Sequence, residues 1–433
     1  MTVRFADALA ELGTRQPEHM PEPDLSRIRA LAELLDDPQL TYPTIHVTGT
    51  NGKTTTARVT AALACDDGLS TGLFTSPHLR SVTERFEVCG RPMTEEEFGE
   101  EYERLLPFLE LVGERIGGVT YFEALTALGY LWFADRPVAL GVFEVGMGGT
   151  WDATNLVSGD VAVICPIGMD HVAELGPTLV DIAREKSGII KTGRAVVVRD
   201  QPPEVLEVIR ARSEEAVASM LLEGREWALA SRVPAVGGQA ISVRGLHATY
   251  EDVLLPLHGE HAAHNAAAAV AAVEALLERP LEEQVVRGAL GRVTVPGRLE
   301  VAARHPLIVL DGAHNPAAAG ALALALPEAL AWGRLHLVVG LLSNKDLDGF
   351  ADLLAPLADA VYACATESVR ARRPEAVAAA FSSRGVAAEA FESVPEALAA
   401  ARDAAGDDDL ILVTGSLYTV ADARRALLEE PER

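Results

Sequence analysis

Apolar runs of strand length alternate with helix-patterned stretches along the chain, and that alternation leaves few folds open. Strands joined by helical crossovers pair in parallel, so the expected fold is α/β with a largely parallel sheet. Strands are expected at Thr44–Thr48, Thr71–Thr75, Val138–Glu144, Val161–Pro166 and Ala195–Val198. Between Gln201 and Leu257 the pattern turns irregular, with short alternating pieces such as Ala240–Val243, and an antiparallel flank or small excursion is expected. An Ala-rich helix, Ala262–Leu277, leads to Val295-Pro296-Gly297, the best boundary in the sequence. The alternation then restarts, with strands at Leu307–Leu310, Leu335–Val339, Ala360–Ala363 and Leu410–Val413. Helices are expected over Pro316–Leu330, Leu347–Leu357, Pro374–Ser383, Pro395–Ala405 and Tyr418–Leu428. At 433 residues the chain is too long for one ordinary domain. The boundary divides it into residues 1–295 and a smaller open-sheet domain, 296–433.

Thr44-Ile-His-Val-Thr48 is a β-branched strand that runs directly into Gly49-Thr-Asn-Gly-Lys-Thr-Thr55 and a helix starting near Lys53. Strand, glycine loop and helix make an anion cradle: backbone N–H groups and a helix N-terminus face a phosphate, and a lysine completes it. Lys53 is expected to hold the β- and γ-phosphates of a nucleotide, and Thr54 or Thr55 to reach Mg²⁺. The strict pattern G-x-x-x-x-G-K-[ST] fails by one position, because Val47 stands where its first glycine would be. Such a loop needs a metal-holding acid at the end of a neighbouring strand. Val138-Ala-Leu-Gly-Val-Phe-Glu144 supplies one, and the run from Val161 ends in Asp170 and His171.

The formal net charge of -26 argues against a nucleic acid or an anionic membrane as partner, and any site for anions has to be locally positive. Of 37 basic residues only four are lysines: Lys53, Lys186, Lys191 and Lys345. A sequence that uses Arg almost everywhere keeps Lys where a compact or deprotonable amine matters. Aromatics are few, and Ala and Leu are expected to fill the interior. No uncharged apolar stretch is long enough for a membrane span and no charged-then-apolar leader opens the chain, so a cytoplasmic protein is expected. The four cysteines, Cys65, Cys89, Cys165 and Cys364, are scattered beside apolar runs and read as buried free thiols in a reducing compartment.

Several segments in order resemble one family, folylpolyglutamate synthase, often bifunctional with dihydrofolate synthase, within the Mur ligase superfamily. They are Gly49-Thr-Asn-Gly-Lys53, Thr75-Ser-Pro-His-Leu79, Tyr121-Phe-Glu123, Glu144-Val-Gly-Met-Gly-Gly-Thr-Trp-Asp-Ala-Thr-Asn155 and Gly168-Met-Asp-His171. Further along come Arg184-Glu-Lys-Ser-Gly-Ile-Ile190, Pro296-Gly-Arg298, Asp311-Gly-Ala-His-Asn-Pro316 and Gly415-Ser416. Two departures stand out: Thr54-Thr55 look more like the cell-wall Mur ligases, and Asn344-Lys345-Asp346 replaces the family's common Asp-Lys-Asp.

The resemblance implies an N-terminal P-loop ATPase domain, a C-terminal Rossmann-like domain, and ATP-dependent ligation of L-glutamate to a folate through an acyl phosphate. Dihydropteroate is a further candidate substrate, and another Mur-type amino-acid ligase is the alternative. It implies that Gly49, Thr50, Asn51, Gly52, Lys53 and Thr54 hold the ATP phosphates, with Asn265, Arg298 and Asp311 completing the nucleotide site. Ser76, Glu144 and His171 are the implied ligands of two Mg²⁺ ions. Thr120, Tyr121, Phe122, Glu123 and Trp151, Asp152, Ala153 match pteroate-pocket segments. His314, Ser416 and Arg370 are candidates for the incoming glutamate, and His314 or Asp311 for taking the proton of its amine. The implied partners are small molecules only, on a monomer.

Plainer readings stand beside these. Thr120-x-x-Glu123 before an apolar run is a capping box. Gly148-Gly149 could be only a turn, Arg298 a linker residue, and Arg370, Arg372 and Arg373 a solvated loop rather than a patch for a glutamate tail.

Thr178 to Gly188 reads as a short helix, with Thr178 and Asp181 as a capping box and Gly188 as its stop. Leu179, Ile182, Ala183 and Lys186 share one face, so Lys186 is expected on the apolar side. An amine drawn inward loses proton affinity, and a neutral amine can add CO₂. The resemblance implies such a carboxylated lysine at Lys186; an ammonium touching phosphate is the alternative.

Overall fold

The run Thr44-Ile-His-Val-Thr48 forms strand β1, buried along its whole length, and lies inside an eight-stranded sheet. The computed structural model describes residues 4–18 and 24–429. The other strands of this sheet are β2 (Thr71–Phe74), β3 (Phe86–Val88), β4 (Arg91–Pro92), β5 (Leu140–Glu144), β6 (Val161–Ile164), β7 (Ala195–Val198) and β8 (Ser219–Leu222). Their spatial order is β4-β3-β2-β5-β1-β6-β7-β8. From β2 to β8 neighbours run parallel, while β3 and β4 add an antiparallel edge. The segments that follow β1, β2, β5, β6 and β7 therefore leave from the same end of the sheet, where open α/β folds bind ligands.

Helices Glu95–Arg115 and Tyr121–Asp135 belong to one core. Although only 5% of the chain is aromatic, the aromatics concentrate here. The Phe143 ring lies 5.4–6.5 Å from those of Tyr130, Phe133, Phe74 and Tyr42. Ala and Leu, expected to fill the interior, share this core with the rings. A second core, rich in Ile and Val, joins Ile164, Val196 and Val198 to Ile182, Ile189 and Ile209.

The irregular stretch is partly regular: helix Pro203–Glu215 and β8 precede a three-stranded sheet of β9 (Ala228–Ala235), β10 (Gly238–Arg244) and β11 (Thr249–Leu255). The Ala-rich helix spans Glu260–Leu277. Helices Phe5–Leu12, Ser26–Leu34 and Glu283–Arg292 lie outside any expected element.

The second sheet holds β12 (Glu300–Arg304), β13 (Leu307–Leu310), β14 (Leu335–Val339), β15 (Ala360–Cys364), β16 (Ala387–Phe391) and β17 (Leu410–Thr414). Its order is β12-β13-β17-β14-β15-β16, antiparallel only at β12. Two compact units result. One takes the described residues up to Ser231 with Ile241–Val253 and His264–Val293; the other takes Arg232–Ala240, Leu254–Ala263 and the described residues from Thr294 on. Among the described residues no helix is long and apolar enough to cross a membrane.

One expectation is overturned at the cysteines. Cys65 and Cys89 form a disulfide, with Cα atoms 5.6 Å apart. The pairing of β2 with β3 carries the turn after β3 back to the end of helix Lys53–Asp66, a proximity that scattered positions in sequence do not reveal. Cys165 and Cys364 are buried free thiols, as expected.

Candidate active site

Gly49 and Gly52 bend the loop after β1, with φ of 148° and 90°. Neither has room for a side chain: a Cβ on Gly49 would lie 2.6 Å from that of Cys165, and one on Gly52 2.7 Å from Asn265 Oδ1. Thr50 ties the loop to the segment after β6, its Oγ1 donating to the Gly168 carbonyl and accepting from the Gly168 N–H, both at 3.0 Å. Lys53 Nζ donates to the carbonyl of Gly49 at 3.1 Å. Thr54 Oγ1 donates to Glu144 Oε1 at 2.8 Å, and the Ser76 N–H to Glu144 Oε2 at 3.3 Å. Thr54, Ser76 and the strand-end acid are thus brought together. His171, in the left-handed region at φ 51°, has Asp170 and Glu174 as acidic neighbours, each 4.0 Å away.

Hydroxyl and carboxylate oxygens are the donors Mg²⁺ prefers, and it commonly binds through one or two carboxylates plus substrate phosphates. Thr54, Ser76 and Glu144 fit that pattern beside a phosphate loop. Among the described residues no three His, Cys, Asp or Glu gather into a metal site of their own.

Lys186 is 4% exposed and its Nζ donates to the Gly49 carbonyl at 2.9 Å, so two lysines converge on one carbonyl. Burial first, and the charge of Lys53 second, lower its ammonium from 10.5 to about 7. The helix that carries it spans Leu179–Lys186 and is capped by Thr178, whose Oγ1 accepts from the Asp181 N–H. The reciprocal half of the expected capping box is not formed: Thr178 Oγ1 donates to Asp181 Oδ2 instead. Nor does Gly188 stop the helix, which tightens into a 3₁₀ turn over Ser187–Ile189. Gly188 is small because a Cβ there would lie 2.1 Å from Thr150 Oγ1.

The pteroate-pocket candidates divide. Thr120 and Glu123 form the capping box of helix Tyr121–Asp135, and Glu123 also pairs with buried Arg27 at 3.0 Å. The Asp152 carboxylate accepts from the N–H groups of Met147 and Thr154, both at 2.9 Å. Buried Ala153 takes the Tyr130 hydroxyl on its carbonyl. The half-buried rings are Tyr121, under the Arg85 guanidinium at 5.7 Å, Phe122, 6.0 Å from Phe74, and Trp151.

In the second unit, both oxygens of Asp311 accept backbone N–H groups, from Leu299 and Ala313 at 2.9 Å. Arg298 Nη1 donates to the Gly297 carbonyl, and a Cβ on Gly312 would collide with it, so Arg298 lies folded against the Asp311 turn. His314 Nδ1 lies 2.8 Å from the Gly312 carbonyl. A carbonyl only accepts, so that nitrogen carries the proton and the lone pair of the neutral ring is on Nε2. Ser416 caps helix Leu417–Glu429, its Oγ accepting from the Thr419 N–H at 3.0 Å. Of the three clustered arginines, Arg372 donates to the carbonyls of Ser343 and Lys345 and holds a loop, Arg370 is half-buried, and Arg373 is exposed. They do not form one surface patch of equivalent cations.

Sequence reasoning missed Cys165 under the phosphate loop and the residues around Asn265. Arg199 Nη1 donates to Asn265 Oδ1 at 2.6 Å, and Arg199 Nε to Glu223 Oε2 at 2.8 Å. Arg199 directly follows an apolar strand, the one local signal that could have marked it.

Residues 47–273 match the Mur ligase middle domain and residues 297–417 the Mur ligase glutamate ligase domain. The chain is 40% identical to the dihydrofolate synthase/folylpolyglutamate synthase of Mycobacterium tuberculosis, over 97% of this chain and 93% of that one. A solved structure of Mycobacterium tuberculosis folylpolyglutamate synthase complexed with ADP superposes with a TM-score of 0.94 at 39% identity, covering 99% of both chains. A folylpolyglutamate synthase–AMPPCP–folate complex superposes with a TM-score of 0.88 at 30% identity, covering 98% of this chain and 100% of the other. The chain belongs to the dihydrofolate synthase/folylpolyglutamate synthase family of Mur ligases.

Proposed function

We propose that the protein is an ATP-dependent ligase that adds L-glutamate to a folate through an acyl phosphate, and that it also joins glutamate to dihydropteroate. The observation that carries the reading is a phosphate loop whose Thr54 is hydrogen-bonded to the strand-end acid Glu144, in a chain of this family. ADP, AMPPCP and folate are the ligands of the similar solved structures.

A carboxylate does not acylate an amine at neutral pH, because oxide would have to leave. Transfer of the γ-phosphoryl group to a folate carboxylate oxygen gives ADP and an acyl phosphate. The glutamate nitrogen then attacks the carbonyl carbon, the carbon–oxygen bond to phosphate breaks, and inorganic phosphate departs with the electron pair. The protein's share is positioning and charge neutralisation. The Lys53 ammonium faces the β- and γ-phosphates, the N–H groups from Gly49 to Thr54 cradle them, and Asn265 adds a donor. Thr54, Ser76 and Glu144 would hold one Mg²⁺, with a second on the His171 side, and such ions would neutralise charge on the phosphates. His314 Nε2 takes the proton of the glutamate amine, since the Asp311 oxygens already serve two backbone N–H groups. Arg298 and Asp311 complete the nucleotide site, and Arg370 and Ser416 the glutamate site. With Thr120, Glu123 and Asp152 engaged in local structure, the rings of Tyr121, Phe122 and Trp151 are what remain for a flat pterin. Lys186 as free amine adds CO₂, releases a proton, and becomes a carbamate, an anion that would suit a Mg²⁺ ion on the His171 side.

The reading includes a cytoplasmic monomer with a P-loop ATPase domain over residues 1–295 and a Rossmann-like ligase domain over 296–433. Phosphate release from ATP, measured with folate and glutamate added singly and together, tests it. Sustained release should need both, with the folate product heavier by one glutamate. Release at the full rate without glutamate would leave a kinase or an ATPase instead.

A further inference from the structure

Strand β7 ends at Val198, and the next residue, Arg199, is only 6% exposed. A buried guanidinium has to be paired. Its Nε donates to Glu223 Oε2 at 2.8 Å, and Glu223 also receives the Asp200 N–H at 2.9 Å and lies 2.5 Å from His264 Nδ1. Glu223, just past β8, thus fixes one edge of the guanidinium. The other edge faces Asn265, whose Oδ1 accepts from Nη1 at 2.6 Å.

A guanidinium has donors and no acceptor, so the atom that meets it must be the carbonyl oxygen of the carboxamide. The amide nitrogen takes no part in that bond and makes no hydrogen bond of its own among the described residues. The carboxamide itself lies on the phosphate loop: a Cβ on Gly52 would fall 2.7 Å from Oδ1 and 3.1 Å from Nδ2. Asn265 is 3% exposed, so neither solvent nor a free torsion selects its orientation.

We infer that Arg199 is a positioning residue for nucleotide binding: braced by Glu223, it locks the Asn265 carboxamide with its N–H₂ presented at the phosphate loop. The inference rests on the reading of Asn265 as a ligand of the ATP phosphates. Preset donors cost no reorganisation when the anion arrives, and an unlocked carboxamide could offer its oxygen to the phosphates instead.

Binding of ADP and AMPPCP to the full chain, by calorimetry, tests this in Asn265→Ala, Arg199→Gln and the double variant. Asn265→Ala should raise Kd by roughly 10- to 100-fold, as expected for losing a hydrogen bond to a charged group. Arg199→Gln should raise it in the same direction, and the double variant should bind no worse than Asn265→Ala alone, because both changes remove one contact. If Arg199→Gln does not fold, Asn265→Asp decides. It keeps the acceptor for Arg199 but turns a carboxylate oxygen toward the phosphates, so it should bind nucleotide more weakly than Asn265→Ala without a lower Tm. Wild-type Kd in Arg199→Gln, additive losses in the double variant, or wild-type binding by Asn265→Asp would overturn the inference. Wild-type Kd in Asn265→Ala would refute the assignment of Asn265 itself and the inference with it.

Discussion

Lys186→Arg keeps a cation at a buried position but removes the amine that would add CO₂. The native Nζ is 2.9 Å from the Gly49 carbonyl, with burial and the charge of Lys53 lowering its ammonium to about 7. An exposed lysine titrates near ~10.4, so at neutral pH about half of Lys186 is free amine, roughly 10³-fold more than for a surface lysine. One pH unit lower, the free fraction falls to about a tenth. Enzyme stripped of CO₂ at mildly acidic pH should therefore lose turnover and regain it when bicarbonate is restored. Lys186→Arg should be slower by about 10²-fold or more and indifferent to bicarbonate. The same depression has a stability consequence with a definite sign. Between about 7 and 10.5 the unfolded chain binds more protons at this residue than the folded one, so the penalty for burying Lys186 shrinks as pH rises through that window. Lys186→Met should flatten the rise in urea midpoint across it. Full activity in the Arg variant, together with indifference of the native enzyme to bicarbonate, would refute the carbamate and leave Lys186 as a phosphate-facing ammonium.

Lys53→Ala should cut phosphoryl transfer by about 10²-fold or more at unchanged Tm, and retention of a tenth of native turnover would contradict the phosphate-loop assignment. Glu123→Ala strips a helix cap and the 3.0 Å partner of buried Arg27, leaving it Asp24 at 3.9 Å, so urea unfolding should show a loss of about 2–4 kcal/mol. Gly188→Ala brings a Cβ to 2.1 Å from Thr150 Oγ1 and should cost about 1–3 kcal/mol, little of it recovered by Thr150→Ala, because Thr150 Cα and Cβ lie 2.7 and 2.8 Å from the same point. Arg370→Ala should raise KM more for long glutamate tails than for the monoglutamate, most clearly at low salt. An equal rise at every tail length would make Arg370 a structural residue like Arg372.

Strands β1, β7, β13 and β14 fall on their expected residues because buried parallel strands are continuous β-branched or aliphatic runs. Strand β16 escaped because Ala-Ala-Glu-Ala-Phe favours helix by propensity, and only its pairing with β15 makes it extended. Lys53, Glu144 and Lys186 were legible from local context: a glycine loop, a strand end and a helix face. Arg199, Glu223 and His264 were not, since their chemistry exists only where two strand ends and a helix meet. Thr120, Glu123, Asp152 and Ser416 carry a structural role as well, each capping or bracing its own segment.

The central claim is that the folate carboxylate, rather than water, receives the γ-phosphoryl group. Folate labelled with heavy oxygen in its γ-carboxylate tests it directly, with the inorganic phosphate analysed by mass spectrometry after one turnover in the presence of ATP and glutamate. The account predicts one labelled oxygen in each phosphate released, because the carboxylate oxygen that attacked phosphorus leaves with it. Unlabelled phosphate accompanying full ligation would contradict it.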